Sequence, residues 1–367
     1  MSPRWRVLVV GCGWISRQVH LPYLARLRAR GGLRSLYVAD AAPDRAARAA
    51  RDFGAEVHTG ALERAEADVV LVATPPADHA ALTLRALAAG ARVIVEKPLA
   101  LTTGDAAMVL AAARHHGGGV YPLYTMRHRP EAVLIRRALA QRIGSAKEIH
   151  AWWLRRAGVP ATQGGTEAGV LWDLGSHLVD LALWLPEWYA ATGTTGTALA
   201  EHQHPAAATS GDPRAGWQRQ EPVAQVVPTP KWHGVRAQAT LTPGRRLRVE
   251  ASWAAPGARR DRSRIDIVGE RATLTWRTVL GWSPDRRTVP GPALWITAPD
   301  GREQVLLHDQ PRDPHVEYTT QLDAAFAAFT VDDATGPLEA AYASTALLHA
   351  MRTSLDTAEP APFDTRG

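Results

Sequence analysis

The sequence predicts an α/β protein, with a doubly wound parallel sheet in its first third and an α+β unit with antiparallel strands after it. Three observations carry this expectation. Short apolar runs alternate with helical segments from residue 7 to about residue 121, the spacing of successive βαβ units. Gly11 and Gly13, Asp40, Thr74-Pro75-Pro76 and Glu96-Lys97 all fall at the carboxyl ends of those runs, where such sheets gather their ligands. From Val235 onward, runs that alternate apolar and polar residues are broken by Pro-Gly turns, as in an antiparallel sheet.

Taken in order, residues 7–10 (Val-Leu-Val-Val) form the first strand and lead at once into Gly11-Cys12-Gly13-Trp14-Ile15-Ser16 and a helix through about Leu27. A Gly-x-Gly turn between strand and helix is the setting for dinucleotide binding. Gly11 permits the tight turn, and Gly13 lets the backbone approach a pyrophosphate seated on the helix N-terminus. Ser16 stands where the fingerprint prefers Gly or Ala. Residues 36–39 form a second strand ending in Asp40, whose carboxylate suits the adenosine ribose hydroxyls and repels a 2′-phosphate. NAD is therefore expected ahead of NADP, with Arg45 the nearby cation able to oppose that preference.

Residues 43–51 read as a helix, 54–58 as a short third strand, and 68–74 as a fourth strand apolar on both faces. That strand stops at Pro75-Pro76; Asp78 is placed to cap a helix over 79–89, and Gly90 to end it. The fifth strand delivers Glu96-Lys97-Pro98. Lysine occurs only at positions 97, 147 and 231 in this arginine-rich chain, so Lys97 at a strand end stands out. A lysine in a partly dry pocket shares a proton with a substrate hydroxyl, which an arginine cannot do. A helix over 104–116 and a strand near Val120 complete this unit; the boundary is expected at 126/127, separating residues 1–126 from 127–367.

Beyond it, a helix ends near Gly144 and a strand spans 147–154. Residues 169–185 then read as a helix with Leu174, Leu178, Leu181 and Leu185 as its buried stripe, and Asp173, His177, Asp180 and Trp184 on a neighbouring face. An Asp and a His one turn apart reach one small ligand, the carboxylate accepting from one hydroxyl and the imidazole taking a proton from another. Two ligands without a third make no metal site. Residues 190–233 are expected to be an irregular connection with one strand near 223–227, and His202 and His204 to be solvated loop residues. Strands are expected at 236–241, 247–253, 264–268, 272–278 and 294–298, helices at 316–329 and 336–355, and fraying from Pro360 to the end.

Composition sets the bounds. A chain of 367 residues exceeds one core, and its hydrophobic content of 46% with mixed charge describes a folded protein. No apolar run is long enough to span a membrane, and the first residues run into a strand without a signal-peptide core, so a cytoplasmic protein is expected. The lone Cys12 excludes an internal disulfide. The net charge of +6 comes from scattered arginines interleaved with strand residues, as at Arg245, Arg246, Arg248, Arg262 and Arg264, which points to a solvated basic face rather than nucleic-acid binding.

These motifs in this order resemble the Gfo/Idh/MocA group, the glucose-fructose oxidoreductase and inositol dehydrogenase family. The resemblance rests on Gly11-x-Gly13-x-x-Ser16, Val72-Ala73-Thr74-Pro75-Pro76-x-x-His79, Gly90-x-x-Val93-x-x-Glu96-Lys97-Pro98 and Asp173-x-Gly175-x-His177-x-x-Asp180. It implies a Rossmann domain followed by a domain with a large open antiparallel sheet, through which homodimers or homotetramers form. It also implies NAD(P)-dependent oxidation or reduction of a secondary alcohol or ketone on a sugar, cyclitol or related small molecule. By position, Lys97 would bind the reacting oxygen, His177 would be general acid/base, and Asp173 would orient substrate or imidazole. Gly11, Gly13, Trp14, Ile15, Asp40, Thr74, Pro75, His79, Glu96 and Lys97 would border the cofactor, and Arg127 the substrate near the domain junction. The glycine run usual before the Asp-His helix is reduced to Glu167-Ala168-Gly169, and the loop 158–167 is short. A ketone or imine reductase, a redox-neutral NAD-dependent glycosidase and a non-catalytic NAD-binding sensor share these motifs. Substrate trials identify the first, unchanged nicotinamide absorbance during turnover the second, and indifference to loss of Lys97 the third.

Overall fold

A computed structural model of the chain describes residues 4–117, 119–155, 169–189, 194–202, 234–253, 261–281, 291–309, 316–331 and 334–365. Strands β1 (Trp5–Val10), β2 (Leu33–Ala39), β3 (Glu56–Val57), β4 (Val69–Val72), β5 (Arg92–Glu96) and β6 (Val120–Leu123) form one parallel sheet in the order β3-β2-β1-β4-β5-β6. The chain winds outward from β1 in one direction and from β4 in the other, so a crevice opens above their carboxyl ends. The residues that end β1, β2, β4 and β5 all meet that crevice.

The apolar runs have no polar side because both faces of the sheet are covered. Val7, Val9, Leu71 and Ile94 pack under α1 (Leu21–Ala29) and α2 (Pro43–Phe53), while Leu8, Val70, Val72, Val93 and Val95 pack under α3 (His79–Ala88) and α4 (Thr103–His115). Each layer takes one further helix from the far end of the chain. Tyr318, Leu322 and Phe326 of α7 (Val316–Thr330) join the first core, and Leu338 and Tyr342 of α8 (Thr335–Thr357) join the second. Phe326 lies 6.2 Å from the Trp5 ring and 6.4 Å from that of Tyr23, whose hydroxyl donates to Asp323 Oδ1 at 2.7 Å. A division at 126/127 therefore leaves part of the first core on the other side of the cut.

Among the described residues the second sheet has nine strands in the order β14-β13-β12-β11-β7-β10-β9-β8-β15. Its centre, β7 (Ala146–Leu154) beside β10 (Arg245–Ser252), is parallel, and every other pair is antiparallel. One face, with Ile149, Ala151, Trp153, Leu247, Val249 and Ala251, packs against α6 (Ser176–Trp184) and the end of α8. The alternate residues bear charge. On the opposite face Arg246 pairs with Glu148 at 2.6 Å, and Arg264 of β11 (Arg262–Gly269) pairs with Asp266 at 2.9 Å. The strand arginines thus sit among acids on the polar side of the sheet. The remaining strands are β9 (Gly234–Leu241), β12 (Thr273–Thr278), β13 (Leu294–Thr297) and β14 (Glu303–Leu307), with α5 (Pro130–Ala138) entering from the first unit.

Several expectations are corrected. The segment expected to be irregular contains β8 (Thr195–His202), and the segment expected to fray contains β15 (Ala361–Asp364), which pairs with it and buries Phe363. Neither strand is apolar enough to declare itself alone; each is made by its partner. His202 closes β8 and is not a solvated loop residue. Asp78 makes no capping hydrogen bond, because the turn Pro76–Asp78 already winds into α3. The strand near 223–227, His204 and the loop 158–167 lie outside the described residues.

Replacing Phe326 by Ala should cost about 3–5 kcal/mol in denaturant unfolding, the usual range for a buried Phe truncation. It should also weaken NAD(P)H binding, because α7 supports the first sheet; full stability would show that α7 is dispensable to that core.

Candidate active site

The glycine turn closes against the neighbouring strand. Gly11 has φ +96°, and a Cβ there would stand 2.5 Å from the Ala73 carbonyl oxygen, so no other residue fits. At Gly13 a Cβ would meet nothing within 4 Å, which leaves open space beside the backbone. Ser16, fully buried, donates its hydroxyl to the Gly11 carbonyl at 2.5 Å; serine here ties the turn instead of merely fitting beneath it. The helix opens with a wide turn, Ser16–His20, before α1, with Trp14 exposed and Ile15 resting on the first core. Asp40 accepts from the amides of Cys12 and Ala42, both at 2.8 Å, and from Arg45, whose Nε lies 3.0 Å from Oδ2 and Nη2 2.9 Å from Oδ1. Burial pushes the carboxyl up, but Arg45 and the two amides outweigh it and hold Asp40 below the usual range.

The exit of β4 and the exit of β5 are fastened together by a histidine. His79 is buried, with Nδ1 2.7 Å from the Pro98 carbonyl and Nε2 2.9 Å from that of Thr74. Burial pushes the imidazole toward its neutral form, which has one N–H and donates to one of the two carbonyls, so His79 bridges the exits of β4 and β5. Pro75 is exposed, and Thr74 Oγ1 is buried without a partner. Glu96 is held by His20, 2.8 Å away and itself fully buried, and by the Lys97 amide at 3.1 Å. Burial raises the Glu96 carboxyl, and His20 more than reverses that.

Lys97 reaches across to the second unit. Its Nζ lies 3.1 Å from both the carbonyl and Oδ1 of Asp173, while Trp253 Nε1 donates to Oδ2 at 2.9 Å. Burial pushes Asp173 up, and Lys97 and Trp253 bring it below the usual carboxylate range. The backbone explains the geometry. Leu171–Gly175 winds as a π-helical turn before α6, which leaves the Asp173 carbonyl to accept from Lys97 and from Ser176 Oγ at 3.1 Å. One regular helix with a leucine stripe was expected; the segment is instead buried nearly all round, with Val179, Ala182 and Leu183 as deep as Leu178. His177 lies against Trp153, ring centroids 5.8 Å apart, and burial together with the Lys97 charge pushes its imidazole down, so it is neutral. His177 Nδ1 and Trp153 Nε1, on rings that lie against each other, are both buried and unpartnered among the described residues, as is Thr74 Oγ1 just past the end of β4. Orphaned polar atoms at one place mark where a ligand completes the hydrogen bonding.

Arg127 does not join them. Its Nε donates to Asp180 Oδ2 at 2.8 Å, Nη2 also meets that carboxylate, and Nη1 reaches the Pro337 carbonyl at 3.2 Å. Ser344 of α8 adds a hydrogen bond to Asp180 at 3.0 Å. Arg127 is a buried strut between α6 and α8, which corrects its expected contact with substrate. His20, Trp153 and Trp253 were not anticipated; a lone histidine in a helix and tryptophans at strand ends carry no sequence signal of a site. Among the described residues no three His, Cys, Asp or Glu side chains are grouped to hold a metal ion, and no helix is long and apolar enough to cross a membrane.

Comparison with known proteins adds to this geometry. Residues 5–124 match the family model of an oxidoreductase family with an NAD-binding Rossmann fold, and residues 134–275 match the GFO/IDH/MocA C-terminal domain. A protein of Amycolatopsis mediterranei, provisionally named a UDP-kanosamine synthase oxidoreductase subunit, is 31% identical over 303 residues, covering 80% of each chain. The dTDP-3,4-didehydro-2,6-dideoxy-α-D-glucose 3-reductase of Streptomyces violaceoruber is 32% identical over 184 residues, 48% of this chain and 53% of that one. Among solved structures, GenD2 from gentamicin A biosynthesis, in complex with NAD, superposes with a TM-score of 0.70 at 22% identity, covering 100% of this chain and 98% of that one.

Trp253→Phe keeps the ring and removes the donor to Asp173. Turnover should fall about 10-fold, the value of one charge-assisted hydrogen bond, with the acid limb of its pH profile displaced upward as Asp173 protonates more readily; a profile identical to that of the unaltered chain would show that the indole only packs. His128 supplies a second test. Burial and the Arg127 charge push its imidazole down to about 4. The unfolded chain therefore takes up the proton first, so this stability is complete above about pH 6.5 and falls as pH drops toward 4, by about 3 kcal/mol in all. Urea titrations from pH 7 to pH 4 should show the loss, and His128→Asn should reduce it.

Proposed function

The chain belongs to the GFO/IDH/MocA oxidoreductase family, the NAD(P)-dependent enzymes of CH–OH and keto groups, and from that premise we propose that it acts on a ring carbinol of a pyranose or related polyol, with NAD ahead of NADP. The observation that carries the proposal is the joining of Lys97, Asp173 and His177 at the carboxyl edge of the parallel sheet, above the glycine turn. The names of the two sequence relatives support a hexose, and the second names its position 3.

The residues fit a dinucleotide. The open space at Gly13 suits a pyrophosphate, Asp40 suits ribose hydroxyls, and the unpartnered Thr74 Oγ1, just past the carboxyl end of β4, would accept a hydrogen bond from or donate one to the nicotinamide half. When bound, the nicotinamide supplies the hydride acceptor or donor. Asp40 favours NAD, and its pairing with Arg45 moderates that preference by placing a cation beside the ribose corner.

The chain's own groups handle the proton. Asp173 holds the Lys97 ammonium in place, so Nζ donates to the reacting oxygen and stabilises negative charge on it. His177, neutral because it is buried beside that ammonium, accepts the hydroxyl proton in oxidation and returns it in reduction. Trp153 and Trp253, both buried, wall the site against water and offer flat surfaces to a sugar ring. The charged face of the nine-stranded sheet, on which no described helix packs, supports self-association of the chain as a homodimer or homotetramer.

Lys97→Ala and His177→Ala should each lower turnover roughly 10²- to 10⁴-fold, followed by nicotinamide absorbance, with NADH affinity within a few fold of the unaltered chain. Turnover near normal in both variants would sink this assignment.

A further inference from the structure

We propose that the active-site crevice includes an anion subsite built on Arg155, and that the substrate is a sugar carrying a phosphate ester, as in a glycosyl phosphate or a nucleotide diphosphate sugar. The inference rests on the reading of the site as a sugar oxidoreductase and names the kind of sugar.

Arg155 follows β7 without breaking its register. Its amide donates to the Ser252 carbonyl at 2.9 Å, continuing the parallel ladder in which Leu154 stands opposite Ser252. That places Arg155 beside Trp253, the residue that grips Asp173. Residues two apart in a strand share a face and are separated by about 6.6 Å. Arg155 is thus one such step beyond Trp153, whose ring lies against His177. By that alternation Arg155 belongs to the side of the sheet that carries Trp153 and the catalytic helix.

The side chain is only 19% exposed, yet among the described residues none of its N–H groups makes a hydrogen bond. The nearest acid, Asp261, is 3.9 Å from Nε, beyond hydrogen-bond range, and has a further partner of its own. The other deeply placed arginines are treated differently. Arg127 spends its donors on Asp180 and the Pro337 carbonyl; Arg129 spends its donors on Glu131, Thr278 Oγ1 and the Val279 carbonyl. A mostly covered arginine side chain whose donors meet no hydrogen-bond acceptor among the described residues is one that a ligand can complete. Its planar donors match two oxygens of one phosphate, and Asp261 steadies it without occupying them.

The test compares three substrates in the full chain with NAD: methyl α-D-glucoside, glucose 1-phosphate and UDP-glucose. Arg155→Gln should lower the ratio of kcat/KM for a phosphate ester to that for the neutral glucoside by about 10- to 100-fold, chiefly through KM, the scale of a charge-assisted pair. Arg155→Lys, which restores charge without the fork, should recover part of it. A dependence equal for both esters assigns the site to a single phosphate; a larger one for UDP-glucose assigns it to the diphosphate. Turnover of UDP-glucose whose KM ignores both substitutions, or a uniform loss on all three sugars, overturns the subsite and leaves the oxidoreductase reading intact. Calorimetric titration with UDP-glucose gives a readout free of turnover. Binding that Arg155→Gln abolishes, with no sugar oxidised, keeps the subsite and overturns sugar oxidation; no binding and no turnover overturn both.

Discussion

Lys97 follows the last residue of β5 and Asp173 lies on the turn before α6, so the contact between them is where the two halves of the molecule are held in register. Neither charge would be stable so far from water alone. An ammonium and a carboxylate with this little exposure are tolerated because each satisfies the other and because Trp253 fills the remaining carboxylate oxygen. The rest of the crevice is arranged to keep that contact in place. His79 clamps the Pro98 carbonyl, His20 clamps Glu96, and Arg127 with Asp180 pins the following turn of α6 to α8.

The electrostatic consequence is a division of labour. Asp173 stays ionised because Lys97 and Trp253 hold its carboxylate, and His177 stays neutral because it is buried and because Lys97 is near. A hydrogen-bond donor and a proton acceptor are thereby set next to one another without competing for one proton. At the opposite end of the crevice the same logic applies to Asp40, whose charge is anchored by two amides and balanced by Arg45.

The parallel sheet was legible because its strands are buried on both faces, which leaves unbroken apolar runs with the ligand-bearing residues at their ends. The placement of Gly11, Asp40, Lys97, Asp173 and His177 at strand and helix ends was legible too, because each is a residue type whose backbone freedom or chemistry is unusual there. The roles of His79 and Arg127 could not. A histidine in a motif looks the same whether its nitrogens face a cofactor or two carbonyls, and only the fold shows that Asp180 and Pro337 have taken the arginine's donors. The π-helical turn at Asp173 was hidden because apolar residues surround it on all sides. Strands β8 and β15 were hidden because their pairing joins segments more than 150 residues apart, as Ala198 opposite Ala361 illustrates.

The return of α7 and α8 to the first sheet has a consequence for how the chain is made. When the ribosome has released the six parallel strands, the layer that includes Val7, Val9 and Leu71 still lacks Leu322 and Phe326, and the layer beneath Leu8 and Val70 still lacks Leu338 and Tyr342. The earliest unit to emerge is the one that must wait longest for its cover. Domains that fold as they emerge hide apolar surface early; this one keeps part of it open until the nascent chain is nearly finished, so the second sheet is synthesised while the first remains sticky and in need of protection.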